Sequence, residues 1–111
     1  MSKLDEKIAL YIRECEKLGI SCNVELLKKV TIGLGPSIYS RDSETVSGSD
    51  EKEKETVKKN FLIKKLSMTD SPLLDAGIDK VLHQMGKSNR NKYRAIVYYL
   101  LVKHFNKEGV Y

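Results

Sequence analysis

Residues 90–106 read RNKYRAIVYYLLVKHFN, and the middle of that stretch, Ala95 to Val102, is apolar at eight consecutive positions. No rotation of such a helix would turn a polar side toward water. A helix that is apolar all round belongs at the centre of a protein. The β-branched residues and tyrosines here would also suit a strand. The total span, with Ser88 or Asn89 as candidate caps ahead and Gly109 behind, favours a helix over about Arg90–Asn106. The sequence therefore predicts an all-α fold, a compact bundle of about five helices arranged around this apolar C-terminal one.

The remaining helices can be read outward from it. Leu4, Ile8, Tyr11, Ile12, Cys15 and Leu18 recur at steps of three and four, so one apolar stripe runs along a helix from about Lys3 to Leu18. Ser2 caps it, and Gly19 ends it. A second helix is expected over Val24–Ile32, with Asn23 or Ser21 as cap, Val24, Leu27 and Val30 inward, and Gly33 as terminator. A third is expected over Asp50–Leu66, acidic in its early turns and basic in its late ones, as the helix dipole favours. Val57, Phe61, Leu62 and Leu66 form its buried side. A fourth starts at Ser71-Pro72, carries Leu74, Ile78, Val81, Leu82 and Met85 inward, and ends at Gly86. Gly77 in its middle costs about 1 kcal/mol against Ala, which a close helix crossing would explain.

Residues 34–49, LGPSIYSRDSETVSGS, form a polar connector that is long for a compact chain. Ile38 and Tyr39 are expected to pin it to the core, and Ser43 to Ser47 to form a single helical turn. No composition break divides the chain, so 1–111 reads as one helical domain.

The chain has 111 residues, a net charge of +5 and 41% hydrophobic content. It is too apolar for wholesale disorder. The charge is uneven: residues 1–55 carry −2 and residues 56–111 carry +7. Such asymmetry raises the odds of an anionic partner for the second half. The opening MSKLDEK has no apolar export segment, and the longest apolar run is far short of the ~20 residues that span a bilayer. A cytoplasmic chain with no membrane contact is the expectation, with Cys15 and Cys22 reduced.

Three stretches, GLGPSIYSRDSETVS (33–47), ETVKKNFLIKKL (55–66) and SNRNKYRAIVYYLLVKHF (88–105), together with the opening SKLDEKIALY and the closing KEGVY, resemble a family of small bacterial proteins catalogued as domain-of-unknown-function family 2853. The resemblance covers nearly the whole chain. It implies a bacterial, cytoplasmic, stand-alone domain, and it carries over neither an activity nor a catalytic residue.

Each candidate for chemistry has a plainer structural account. Gly33-Leu34-Gly35-Pro36 follows a helix rather than a strand and lacks the Lys-Ser/Thr of a phosphate loop, so helix termination explains it better. Cys15 lies on an apolar stripe and reads as core. Cys22, near a helix start, has no neighbouring base; a Cys15–Cys22 disulfide fits the spacing but not a reducing compartment. His83 and His104 lack a carboxylate set for metal, and the acids from Asp42 to Glu55 lack calcium-loop spacing. No cofactor, metal or catalytic residue is expected.

The basic residues carry the functional expectation. Lys58, Lys59, Lys64 and Lys65 close the third helix, while Lys87, Arg90, Lys92 and Arg94 open the fifth among Asn89, Asn91 and Tyr93. The expected working surface is Lys87, Asn89, Arg90, Lys92 and Arg94 with Tyr39 and Arg41 of the connector. Its partner is expected to be a protein, which makes the chain a non-enzymatic interaction module. Sequence-tolerant nucleic-acid binding through the basic second half is the alternative, and a second copy of the chain is a further partner to consider.

Overall fold

The computed structural model describes residues 2–48, 50–86, 89 and 91–111, and only the backbone of Arg41 and Asp42. Among these residues the fold is all-α, with no strand and a lone antiparallel bridge between Thr45 and Tyr93. The radius of gyration is 13.0 Å, the value of about 13 Å expected for a compact chain of this length.

Helix α1 spans Lys3–Lys17, and the Ser2 hydroxyl accepts from the Asp5 N–H at 3.1 Å, so the expected cap is formed. Ile8, Tyr11 and Cys15 are its buried residues. Helix α2 spans Val24–Leu34 with Asn23 as cap, its Oδ1 accepting from Leu26 N–H at 3.2 Å. The helix runs through Gly33, where termination was expected, and stops at Gly35, whose φ is +63°. Leu26, Leu27, Val30 and Thr31 face inward. Val24, expected inward, is 48% exposed.

The connector is built rather than loose. Gly35–Tyr39 forms a 3-10 turn, and α3, a single turn, spans Arg41–Glu44, ahead of the expected Ser43–Ser47 position. Ile38 and Val46 are buried and anchor it, whereas Tyr39 points outward at 47% exposure. Helix α4 spans Glu51–Thr56 and continues as a π-helical segment over Val57–Lys65. The widened pitch has a packing reason. Val57 and Leu62 are five apart, as are Phe61 and Leu66, and all four are buried. An i→i+5 turn stacks such pairs on one side, and Leu66 N–H closes it on Phe61 C=O at 2.9 Å. Phe61 then stacks on Tyr98, ring centroids 3.9 Å apart.

Helix α5 spans Pro72–Gln84, with Pro72 in its first turn and no side-chain bond from Ser71. Gly77 is the close crossing that its position suggested. A Cβ there would lie 2.8 Å from Phe105 Cε2 and 3.1 Å from His104 Cδ2, tighter than van der Waals contact allows. Helix α6 spans Arg94–His104, and every residue from Ala95 to Val102 is buried. It packs against α1, α2, α3 and α5, so the apolar helix is central. It starts at Arg94 rather than Arg90. Lys92 C=O accepts from Val46 N–H at 2.8 Å, and Tyr93 pairs with Thr45. That extended tertiary pairing holds Tyr93 at φ −60°, ψ 130° and outcompetes another helical turn.

Candidate functional site

The connector and the entry to α6 meet in a polar cluster. Arg94 stands at its centre with a side chain 11% exposed. Its Nε donates to Ser43 C=O at 2.8 Å and one Nη to the Tyr98 hydroxyl at 3.1 Å, while the other Nη pairs with Glu53. Burial works to lower the Arg94 pKa, and the Tyr98 and Glu53 contacts outweigh it, so the guanidinium stays firmly charged. One arginine thereby ties α6 to the connector and to α4.

A second part of the cluster joins the connector to α1. Glu44 Oε2 accepts from Lys7 Nζ at 2.6 Å and from the Tyr11 hydroxyl at 2.8 Å. Tyr11 is fully buried, and its ring lies 5.2 Å from that of Tyr93. Burial first, and then the bond to Glu44, hold the Tyr11 phenol well above its usual range. Burial also raises Tyr93, assisted by the charges of Glu14 and Glu44.

The expected surface residues therefore separate. Lys92 is buried, 7% exposed, and its Nζ donates to Asn89 C=O at 2.5 Å. Asn89 does not cap α6; its Nδ2 donates to Met85 C=O at 3.0 Å, and its Oδ1 accepts from Asn91 N–H at 2.9 Å. Arg94 is engaged as described, and Tyr39 is exposed at a distinct turn. Lys87, Arg90 and the Arg41 side chain lie outside the described residues, as does Ser88. Lys92 with Asn89, and Arg94 with Ser43, Glu53 and Tyr98, are thus spent on separate internal contacts.

Other basic residues stay outside. Lys58 pairs with Asp70 at 3.1 Å and Asp75 at 3.2 Å, and Lys59 pairs with Glu55 at 3.3 Å. Lys64 and Lys65 are exposed at the end of the π segment, with Lys65 Nζ 5.1 Å above the Tyr111 ring. Tyr111 Cε1 would lie 3.7 Å from a Cβ on Gly33, so the C-terminal residue seats on the end of α2. Lys29 stands one turn before Gly33, and Lys28 is between the exposed Val24 and Ile32 at four-residue steps. Among the described residues, Lys28, Lys29, Lys64 and Lys65 have no carboxylate within ion-pair distance. Ile32 is exposed on α2 with Lys28 and Lys29, and Val110 is exposed next to the Tyr111 that lies under Lys65. The α2 part was missed from sequence because Val24 was assigned inward. The legible signal was the Val24–Lys28–Ile32 spacing beside Lys29.

A groove of about 170 Å³ between α4 and α5 is rimmed by Glu51, Glu55, Asp75 and Asp79. Lys54 lines it too, pairing with Asp79 at 3.0 Å and Glu51 at 3.6 Å, so much of its charge is met internally. Among the described residues no three His, Cys, Asp or Glu side chains gather as a metal set, and no helix is long and apolar enough to cross a membrane.

The chain belongs to the family described as Protein of unknown function (DUF2853), which matches residues 10–109. No curated protein matches the chain.

Proposed function

We propose that this member of the family is a non-enzymatic interaction module of the bacterial cytoplasm that docks an acidic protein surface on the outward side of α2. The observation that carries the reading is the contrast in how its cations are used. Arg94 and Lys92 are consumed in internal contacts, while exposed Lys28 and Lys29 stand on α2 with exposed Ile32, and exposed Lys64 and Lys65 close the π segment, all four without carboxylate partners among the described residues. Apolar anchors beside unpaired lysines suit a partner of opposite charge, since complementarity steers encounter and apolar contact holds it.

Lys65 over the Tyr111 ring, with Lys64 next to it in sequence, would also suit phosphates, which favours single-stranded or duplex nucleic acid as a second reading. Fluorescence anisotropy separates the two, with a labelled Glu/Leu-rich helical peptide in one arm and labelled random DNA and RNA in the other. Saturable peptide binding, lost in Lys28→Glu with Lys29→Glu, is the expected result. Binding of nucleic acid alone, weakening steeply between about 50 and 200 mM salt, would replace the first reading with the second. Binding that the double variant leaves intact would remove this face from both. Light scattering during the same titrations reads self-association, the outcome if the partner is a second copy.

A further inference from the structure

The end of α1 brings Cys15 and Cys22 to one core cluster. Helix α1 closes with Gly19 N–H on Glu16 C=O at 3.1 Å and Ile20 N–H on Cys15 C=O at 2.8 Å, with Gly19 at φ +72°. This is the paired-bond helix ending that folds the residue after the glycine back over the last turn, and it seats Ile20 against Cys15. Residues 20–23 then run without helical bonding, and Asn23 is extended. In extended chain, side chains two apart share a side, so Cys22 follows Ile20 back toward Cys15. The register is held from the far side by Tyr99. Its buried hydroxyl donates to Ser21 C=O at 3.0 Å and accepts from Asn23 N–H at 2.8 Å, bracketing Cys22. Cys15 is fully buried, whereas Cys22 is partly exposed and packs on the same core cluster. Burial is the larger influence on both thiols, and each also perturbs the other's ionisation.

We propose that Cys15 and Cys22 form a reversible thiol–disulfide site, with Cys22 the entry thiol and Cys15 the resolving thiol, closed by a low-molecular-weight disulfide such as oxidised glutathione. Cys22 thiolate attacks one sulfur of the small disulfide, forming a mixed disulfide and releasing one small thiol. Cys15 thiolate then attacks the Cys22 sulfur, forming the internal disulfide and releasing the second small thiol. The protein dithiol loses two electrons and two protons, and the small disulfide gains them. Burial raises both thiols, Cys15 to about 12, and the neighbouring Cys15 works to lower Cys22. The exposed member is therefore the better nucleophile, and closure accelerates as pH rises. The bond would lock the end of α1 to the chain entering α2, the helix that carries the proposed docking face, without relying on that face being functional.

The test is equilibration of the folded chain in glutathione buffers, followed by acid quench, alkylation and intact mass. The expected result is an internal disulfide that reductant reverses. Its equilibrium constant should be at least tenfold higher in the native chain than in urea, because the fold holds the thiols together. Cys15→Ser is expected to stop at a glutathione adduct on Cys22, and Cys22→Ser to leave Cys15 unreacted in the native state. The wild-type ratio decides the matter even if Cys15→Ser does not fold. A wild-type chain that stops at the mixed disulfide, cross-links between chains, or closes no more readily folded than unfolded overturns the proposal.

Discussion

The entry to α6 and the outward face of α2 carry the same kind of residue in opposite circumstances. At the entry, Arg94 is nearly enclosed and has three acceptors, from the connector, α4 and its own helix. On α2, Lys28 and Lys29 stand in water beside exposed Ile32. A buried cation persists only when its hydrogen-bonding groups are met, so its site is specified by the fold. An exposed lysine is hydrated and interacts weakly with its own chain, so it stays available to others. The lesson is that a cluster of positive charge in a sequence marks a binding face only after the internally used charges are subtracted.

The sharpest way to break this contrast is Arg94→Ala. It leaves Glu53 and Ser43 C=O without their partner at the centre of the brace, and a loss of about 3 kcal/mol is expected from urea unfolding. Arg94→Lys should recover only part of it, since one ammonium cannot reproduce the forked geometry. A loss no larger than that of a surface substitution would show that the entry is not a structural brace.

Alkaline pH acts on the same interior. Cys15 is raised from 9.0 to about 12, and Tyr11, Tyr93 and Tyr111 are raised from 10.0, burial being the first cause in each. The unfolded chain ionises first, so it binds fewer protons than the folded chain above these ordinary values. The stabilisation is therefore complete below about pH 9 and is lost as pH climbs toward the folded values. A fall on the order of 2 kcal/mol is expected by about pH 11, read as a shift of the urea midpoint. Flat stability across that range would contradict the burial of these groups.

A smaller effect is expected from Glu44→Gln. The substitution keeps an acceptor for Tyr11 but removes the charge that Lys7 meets at 2.6 Å, and about 1 kcal/mol should be lost. The smallest effect on stability belongs to the other region. Lys28→Glu with Lys29→Glu should change unfolding free energy by less than about 0.5 kcal/mol while abolishing peptide binding. If that double variant were as destabilised as Arg94→Ala, the two regions would not differ as described.

Much of the fold was legible along the chain. Ser2 and Asn23 cap their helices, Ala95 to Val102 are central, and Gly77 meets another helix, as their positions suggested. The beginning of α6 was not legible, because a bridge from Tyr93 to Thr45 replaces a helical turn that local preference would have added. Nor was the split between Ile38 and Tyr39, adjacent apolar residues of which one is buried and the other exposed. Of the candidate surface, Lys92 and Arg94 bore no mark in sequence that distinguished them from Lys64 and Lys65. Ser43 and Glu53, which hold Arg94, and Gly48, against which the Lys92 stem lies, come from the other half of the chain.

The sequence by itself determined the helices, their caps and the central place of the apolar one. Those features depend on residues three to four positions apart, whose contacts are set by the geometry of a single turn. Only the tertiary structure decided which cations are spent and which remain, where α6 begins, and why Val57–Lys65 widens into a π segment. Each of these is a competition between local preference and a partner brought close by folding, and the winner depends on burial, which a linear chain does not possess.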